Sequence, residues 1–99
     1  MASDRLPDLI AALQQAVPLL REREQGFWAD WLEKDLKLIE GEDFYGIEDL
    51  LKAFHGGIAG LSDVILHPPS KNAEWQWLSK RIYEIAHGLQ RERHRREAI

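Results

Sequence analysis

Cysteine is absent from this 99-residue sequence, and methionine occurs once. The absence of thiols excludes a disulfide framework and a thiolate zinc site, and it suits a reducing compartment. No apolar run approaches the ~18 residues of a membrane span. The opening stretch MASDRLPDL lacks the apolar centre of a signal peptide. The expectation is a cytoplasmic protein with no membrane partner. Alternating strand patterns, hairpin signals and internal repeats are also missing. So is an excess of base: the formal net charge is −4, which argues against nucleic acid as a partner.

What is there is amphipathic helix. The hydrophobic fraction of 44% and charged fraction of 30% fit one soluble globular domain spanning residues 1–99. A chain this short buries a modest core, with a net stability of about 5–15 kcal/mol. Leu6, Leu9, Ile10, Leu13, Val17 and Leu20 recur at steps of three and four and predict a first helix near 4–24. Ser3 or Asp4 is its candidate cap, Pro7 falls in its first turn, and Gly26 is its candidate stop. Pro18 donates no amide hydrogen and crowds the carbonyl of Gln14, so a bend or break is expected there.

Trp28, Trp31, Leu32, Asp35, Leu36 and Ile39 form the stripe of a second helix, 27–40, apolar except at Asp35. Gly41 is its natural stop. Asp43 is placed to cap a third helix, 44–54, carrying Phe44, Ile47, Leu50, Leu51 and Phe54. Gly46 interrupts that helix at a cost of about 1 kcal/mol relative to alanine. Either the backbone needs it, or another helix packs close against it. Gly56, Gly57 and Gly60 mark a loop with positive φ angles or a close backbone approach. A short helical turn over residues 61–66 follows, ended by His67, Pro68 and Pro69. Asn72 is the candidate cap of a last helix, 73–93, whose core face is Trp75, Leu78, Ile82, Ile85, Ala86 and Leu89. Gly88 weakens its later part, and the basic end, 90–99, has no apolar residue to bury and is expected to project or fray. The predicted fold is all-α: a four-helix, bundle-like single domain with a glycine-rich loop and a helical turn between helices 3 and 4. Leu13, Leu32, Leu51, Leu78, Ile82 and Ile85 are its expected core.

Chemistry-bearing residues are few. His55, Asp63 and His67 are metal-ligand types around one glycine loop, but no HExxH or paired ExxH pattern accompanies them. The bland reading has Asp63 capping a turn and the histidines on the surface or hydrogen-bonded. The GGIAG stretch resembles an anion cradle, yet it lacks the lysine of a phosphate loop and follows a helix, not a strand. Ser62 with His55 or His67 has no G-x-S-x-G elbow. No catalytic residue, cofactor or metal is therefore assigned.

Charge is more informative. Residues 30–50 hold two lysines against eight acids, a net of −6. Arg91, Arg93, Arg95 and Arg96 make the far end basic, diluted by Glu92 and Glu97. A charge run is usually a solvated face. Acids beside aromatics also suit a basic protein partner, because charge steers encounter and aromatic rings anchor it. The candidate partner-binding residues are Asp30, Glu33, Glu40, Glu42, Asp43, Tyr45, Glu48 and Asp49.

Residues 28–66 carry Trp28, Trp31, Leu32, Asp35, Ile39, Asp43, Phe44, Tyr45, Gly46, Ile47, Leu50, Leu51, Ala53, Phe54, Gly56, Gly57, Gly60 and Asp63. In that order they resemble an uncharacterised family of small bacterial proteins. The likeness departs at the glycine loop, which has one residue more than the family's rhythm. The resemblance implies a bacterial source and names no activity; immunity proteins of toxin systems are one kind of small bacterial protein it brings into view. The leading expectation is a non-enzymatic inhibitor that neutralises a basic toxin through the acidic, aromatic face. The alternative is a homodimeric regulatory or scaffold module held by tryptophan faces. A third is a small metal-dependent enzyme using His55, Asp63 and His67.

Overall fold

A computed structural model describes residues 5–55 and 60–97. Four helices and one 3-10 turn follow one another: α1 (Arg5–Glu22), α2 (Gly26–Glu40), α3 (Tyr45–Phe54), the turn (Leu61–Asp63) and α4 (Pro69–Glu97). No strand occurs among the described residues. α1 packs on α2 and α4, and α3 packs on the same two, so the helices close around one core as an all-α bundle. Leu13, Leu32, Leu51, Leu78, Ile82 and Ile85 all lie in it, with the fully enclosed Trp75 as its largest side chain. At 29 residues α4 is about 43 Å long and sets the 47 Å long axis of the molecule.

The helix ends depart from expectation in instructive ways. Pro18 sits inside α1 on the exposed side, and the helix continues through it to Glu22. Its stop is not Gly26, which instead opens α2. Glu24 takes the left-handed conformation (φ 62°), and the Gln25 amide donates to the Leu20 carbonyl at 2.8 Å. That is a Schellman ending built on glutamate. α2 ends the same way: Gly41 has an ordinary φ of −85°, Glu42 takes φ 61°, and the Asp43 amide donates to the Leu38 carbonyl at 2.9 Å.

The cap position of α3 is Phe44, not the expected Asp43; Asp43 stands one residue earlier, and its Oδ1 accepts the Tyr45 amide at 3.0 Å, tying the turn to the first residue of the helix. Gly46 is a packing glycine. A Cβ there would meet the Asp35 carbonyl, Leu38 Cβ and Ile39 Cγ1, each at 2.9 Å. Gly60 has φ −91°, not a positive value. Residues 56–59 of the glycine loop, the candidate caps Ser3 and Asp4, and the side chain of Ser62 lie outside what is described.

α4 begins earlier than its periodicity indicates. Pro69 occupies the first turn, where its missing N–H costs nothing. Asn72 lies within the helix, and its Oδ1 accepts the Leu66 amide at 3.0 Å, tying the preceding loop down. The helix also runs past Gly88, beside which the Arg5 guanidinium lies, to Glu97. Over the described part of the basic end, residues 90–97, the chain is helical, and the Arg93 guanidinium lies 4.1 Å over the ring of the buried Phe44. None of these helices is long and apolar enough to cross a membrane.

Candidate functional site

The acids of residues 30–50 separate into three groups. Asp30 and Glu33, on the first half of α2, both pair with Arg21 of α1, at 3.0 and 2.9 Å. Lys34 and Lys37 share the concavity that these acids line, so that stretch is mixed in charge. All three paired side chains are well exposed, so each bridge contributes at most about 1 kcal/mol.

The second group lies at the corner between α2 and α3. Gly41, Glu42, Asp43, Tyr45 and Glu48 line a concavity of about 560 Å³ whose other walls are Phe44 and Arg93. Glu42, Asp43 and Glu48 are exposed, and Tyr45 shows half its surface. Glu40 is exposed on the last turn of α2 but does not line the concavity. The left-handed conformation at Glu42 and the hydrogen bond from the Tyr45 amide to Asp43 shape the short turn that carries two of these carboxylates, and Glu48 stands on α3. Arg93 had no place in the expected site, because nothing local connects it to α3.

The third group is withdrawn from the surface, which corrects the expectation for Asp49. Asp49 is 6% exposed and Asp35 is fully enclosed. Lys34 Nζ stands 3.1 Å from Asp49 Oδ2. Burial, followed by the hydrogen bond and charge of Asp49, pushes the Asp35 carboxyl up to about 8. Burial opposes ionisation of Asp49 too, but the hydrogen bond from Asp35 and the Lys34 ammonium outweigh it and hold Asp49 below the usual carboxylate range. Asp49 in turn holds the Lys34 ammonium above its ordinary value. Asp35 was visible in the sequence as the one polar member of an apolar stripe; its acidic neighbour was not.

Beside this pair, Phe27, Trp28 and Trp31 pack as three rings with centroids 5.0, 5.4 and 5.9 Å apart. Both tryptophans are half-buried against the core, while Phe27 is 68% exposed. The Trp31 indole N–H donates to the Asp49 carbonyl at 3.3 Å, and Lys34 Nζ lies 5.7 Å from the Trp31 ring.

The three candidate metal ligands go to different partners. His55 packs edge-on against Tyr83, with centroids 5.8 Å apart. Asp63 accepts the Gly60 amide at 3.2 Å, the capping role foreseen for it. His67 lines a separate concavity, where its carbonyl accepts from Arg23. Among the described residues no three His, Cys, Asp or Glu side chains stand together as a metal site would require.

Residues 21–74 match the model of a family described as a domain of unknown function (DUF6966). The chain belongs to this family. The matched segment contains α2, α3, the ring cluster, the acidic corner and the Asp35–Asp49 pair, and ends within the first turns of α4. No curated protein and no solved structure matches the chain.

Proposed function

We propose that this chain is a non-enzymatic binding protein that holds and inhibits a basic protein partner, in the manner of a bacterial immunity protein neutralising its toxin. The observation that carries the reading is the acidic corner. Glu42, Asp43 and Glu48 converge on one concavity with the half-exposed Tyr45 at its edge. Carboxylates grouped on one surface steer a cationic partner toward them, and a tyrosine supplies anchoring area with a polar tip. Such a surface would cover a cationic active site by standing where phosphates bind.

The test is a titration of the wild type and of Glu42→Lys/Glu48→Lys with the protein encoded beside it in its genome. It is run at low and high salt, with circular dichroism as the folding control. The expected result is slower association and weaker binding on charge reversal and as salt rises, because screening shortens below about 10 Å above 0.1 M. A complex indifferent to both would overturn the acidic-corner reading. If the neighbour is toxic and co-expression fails to restore growth, the inhibitor form of the reading fails.

The exposed Phe27 supports a second reading, a homodimeric scaffold module joined through the ring cluster. Phe27→Ala is the suitable probe, since Trp28 and Trp31 also pack on the core. A dimer that survives high salt and dissociates in this variant by sedimentation supports that reading; a wild-type monomer excludes it.

A further inference from the structure

The contact between α2 and α3 holds chemistry that the acidic corner does not use. Gly46 brings the two backbones together, since any side chain there would strike Asp35, Leu38 and Ile39 of α2. Asp35 of α2 and Asp49 of α3 are both buried at this contact and interact side chain to side chain. As ionised groups they present only acceptors to one another, and without a proton between them neither Asp35 oxygen has a hydrogen-bond donor. A bare carboxylate pair away from water is among the costliest arrangements a small core can hold. One proton removes the conflict: an Asp35 hydroxyl donates to the Asp49 carboxylate.

The surroundings decide where that proton sits. Lys34 of α2 reaches Asp49 at 3.1 Å, and Lys52 of α3 also favours its charge. Tyr45 acts on Lys34 and lies 5.7 Å from Lys52 Nζ. From the flanking helices, Arg21 of α1 is engaged by Asp30 and Glu33, and Arg93 of α4 lies over Phe44. Lys34 also favours the charge of Asp35, but burial and Asp49 outweigh it, so the proton is left to Asp35.

We propose that Asp35 and Asp49 share a single proton across the α2–α3 contact, and that its release loosens α3 from α2, making this contact a proton-operated joint. Loss of the proton leaves two negative charges against one adjacent lysine in an apolar contact. Separation of the helices, or entry of water between them, is the relief. The Trp31 to Asp49 hydrogen bond crosses the same joint, and Tyr45 and Glu48 ride on α3, so the shape of the acidic corner follows the joint. The inference stands whatever partner the corner binds.

Carbon-13 NMR of the aspartate carboxyls, titrated in wild type, Asp49→Asn and Lys34→Gln, tests the pairing. Amide exchange across α3, corrected for intrinsic rates, tests the joint in wild type and Asp35→Asn. The expected result is that Asp35 titrates above neutrality and that its midpoint falls in Asp49→Asn. In Lys34→Gln, whose lysine is exposed and safe to replace, the midpoint rises. α3 protection should drop as Asp35 titrates and stay level in Asp35→Asn. If Asp35 titrates in the ordinary carboxylate range, or ignores both neighbours, the shared proton is refuted. If α3 protection follows one course in wild type and Asp35→Asn, the joint is refuted.

Discussion

Glu42 shows how much one residue's backbone can say. A non-glycine residue in the left-handed region carries a cost of roughly 1–2 kcal/mol, partly offset because glycine loses more freedom on folding. Glu42→Gly should therefore stabilise the fold by about 0.5–1 kcal/mol, read as a raised urea midpoint at unchanged slope. Gly46 predicts the opposite sign. Gly46→Ala places a methyl against a backbone carbonyl and two fixed side chains, and should cost about 1–3 kcal/mol in the same assay. The sequence pointed to glycines as helix stops, and the stops formed one or two residues away, on Glu24 and Glu42. A Schellman ending is set by where the last apolar residues must pack, and propensity only biases which residue takes the turn. At Gly46 the sequence left two explanations open because the atoms that decide belong to α2, several residues back. A local pattern does not contain them.

At the scale of elements, periodicity was sufficient for faces and insufficient for ends. The six residues expected in the core are all within 3% of full enclosure. Ile82, with no exposure, gives the clearest check on the register of α4: Ile82→Ala should cost about 2–5 kcal/mol, a large share of a small domain's stability, by urea unfolding. The ends of α4 were set by contacts that periodicity does not register. Pro69 is a helix stop by composition and a helix start by position. The last turns hold no apolar side chain, yet Arg93 finds apolar surface away from α4, 4.1 Å over the ring of Phe44 at the entry to α3. Arg93→Ala should uncover that ring and cost about 0.5–1 kcal/mol, the usual size of an exposed cation–π contact. Increased hydrogen exchange at the start of α3, with the rest of the bundle unchanged, is the expected signature.

At the scale of the whole molecule, the acidic middle was legible as charge but not as burial, since composition counts Asp35 and Asp49 with the solvated acids around them. Their burial gives the molecule a pH dependence opposite to that of an ordinary salt-bridged acid. Asp35 has an ordinary value of 3.8 and is raised to about 8 by burial and by Asp49. Between those two values the folded state keeps a proton that the unfolded state has lost. Stability therefore falls as pH rises through this window, by at most about 1.4 kcal/mol per unit, and levels off above it. Asp49, held below its ordinary value, contributes in the other sense: its stabilisation is present above about 3.8 and is lost as pH falls further. The wild type should thus be most stable in mild acid, at about pH 4–5, and should lose stability steadily toward alkaline conditions. Asp35→Asn keeps the shape and removes the ionisation, so its curve should be flatter across the same window and should lie above the wild type at the alkaline end. Urea unfolding of both proteins at about pH 4.5, 7 and 9 measures this directly. The difference between the two curves isolates the Asp35–Asp49 pair, because every exposed carboxylate contributes equally to both. Parallel curves would mean that the enclosed carboxyl takes in water and ionises like a surface acid, and the contact between α2 and α3 would then owe nothing to a proton.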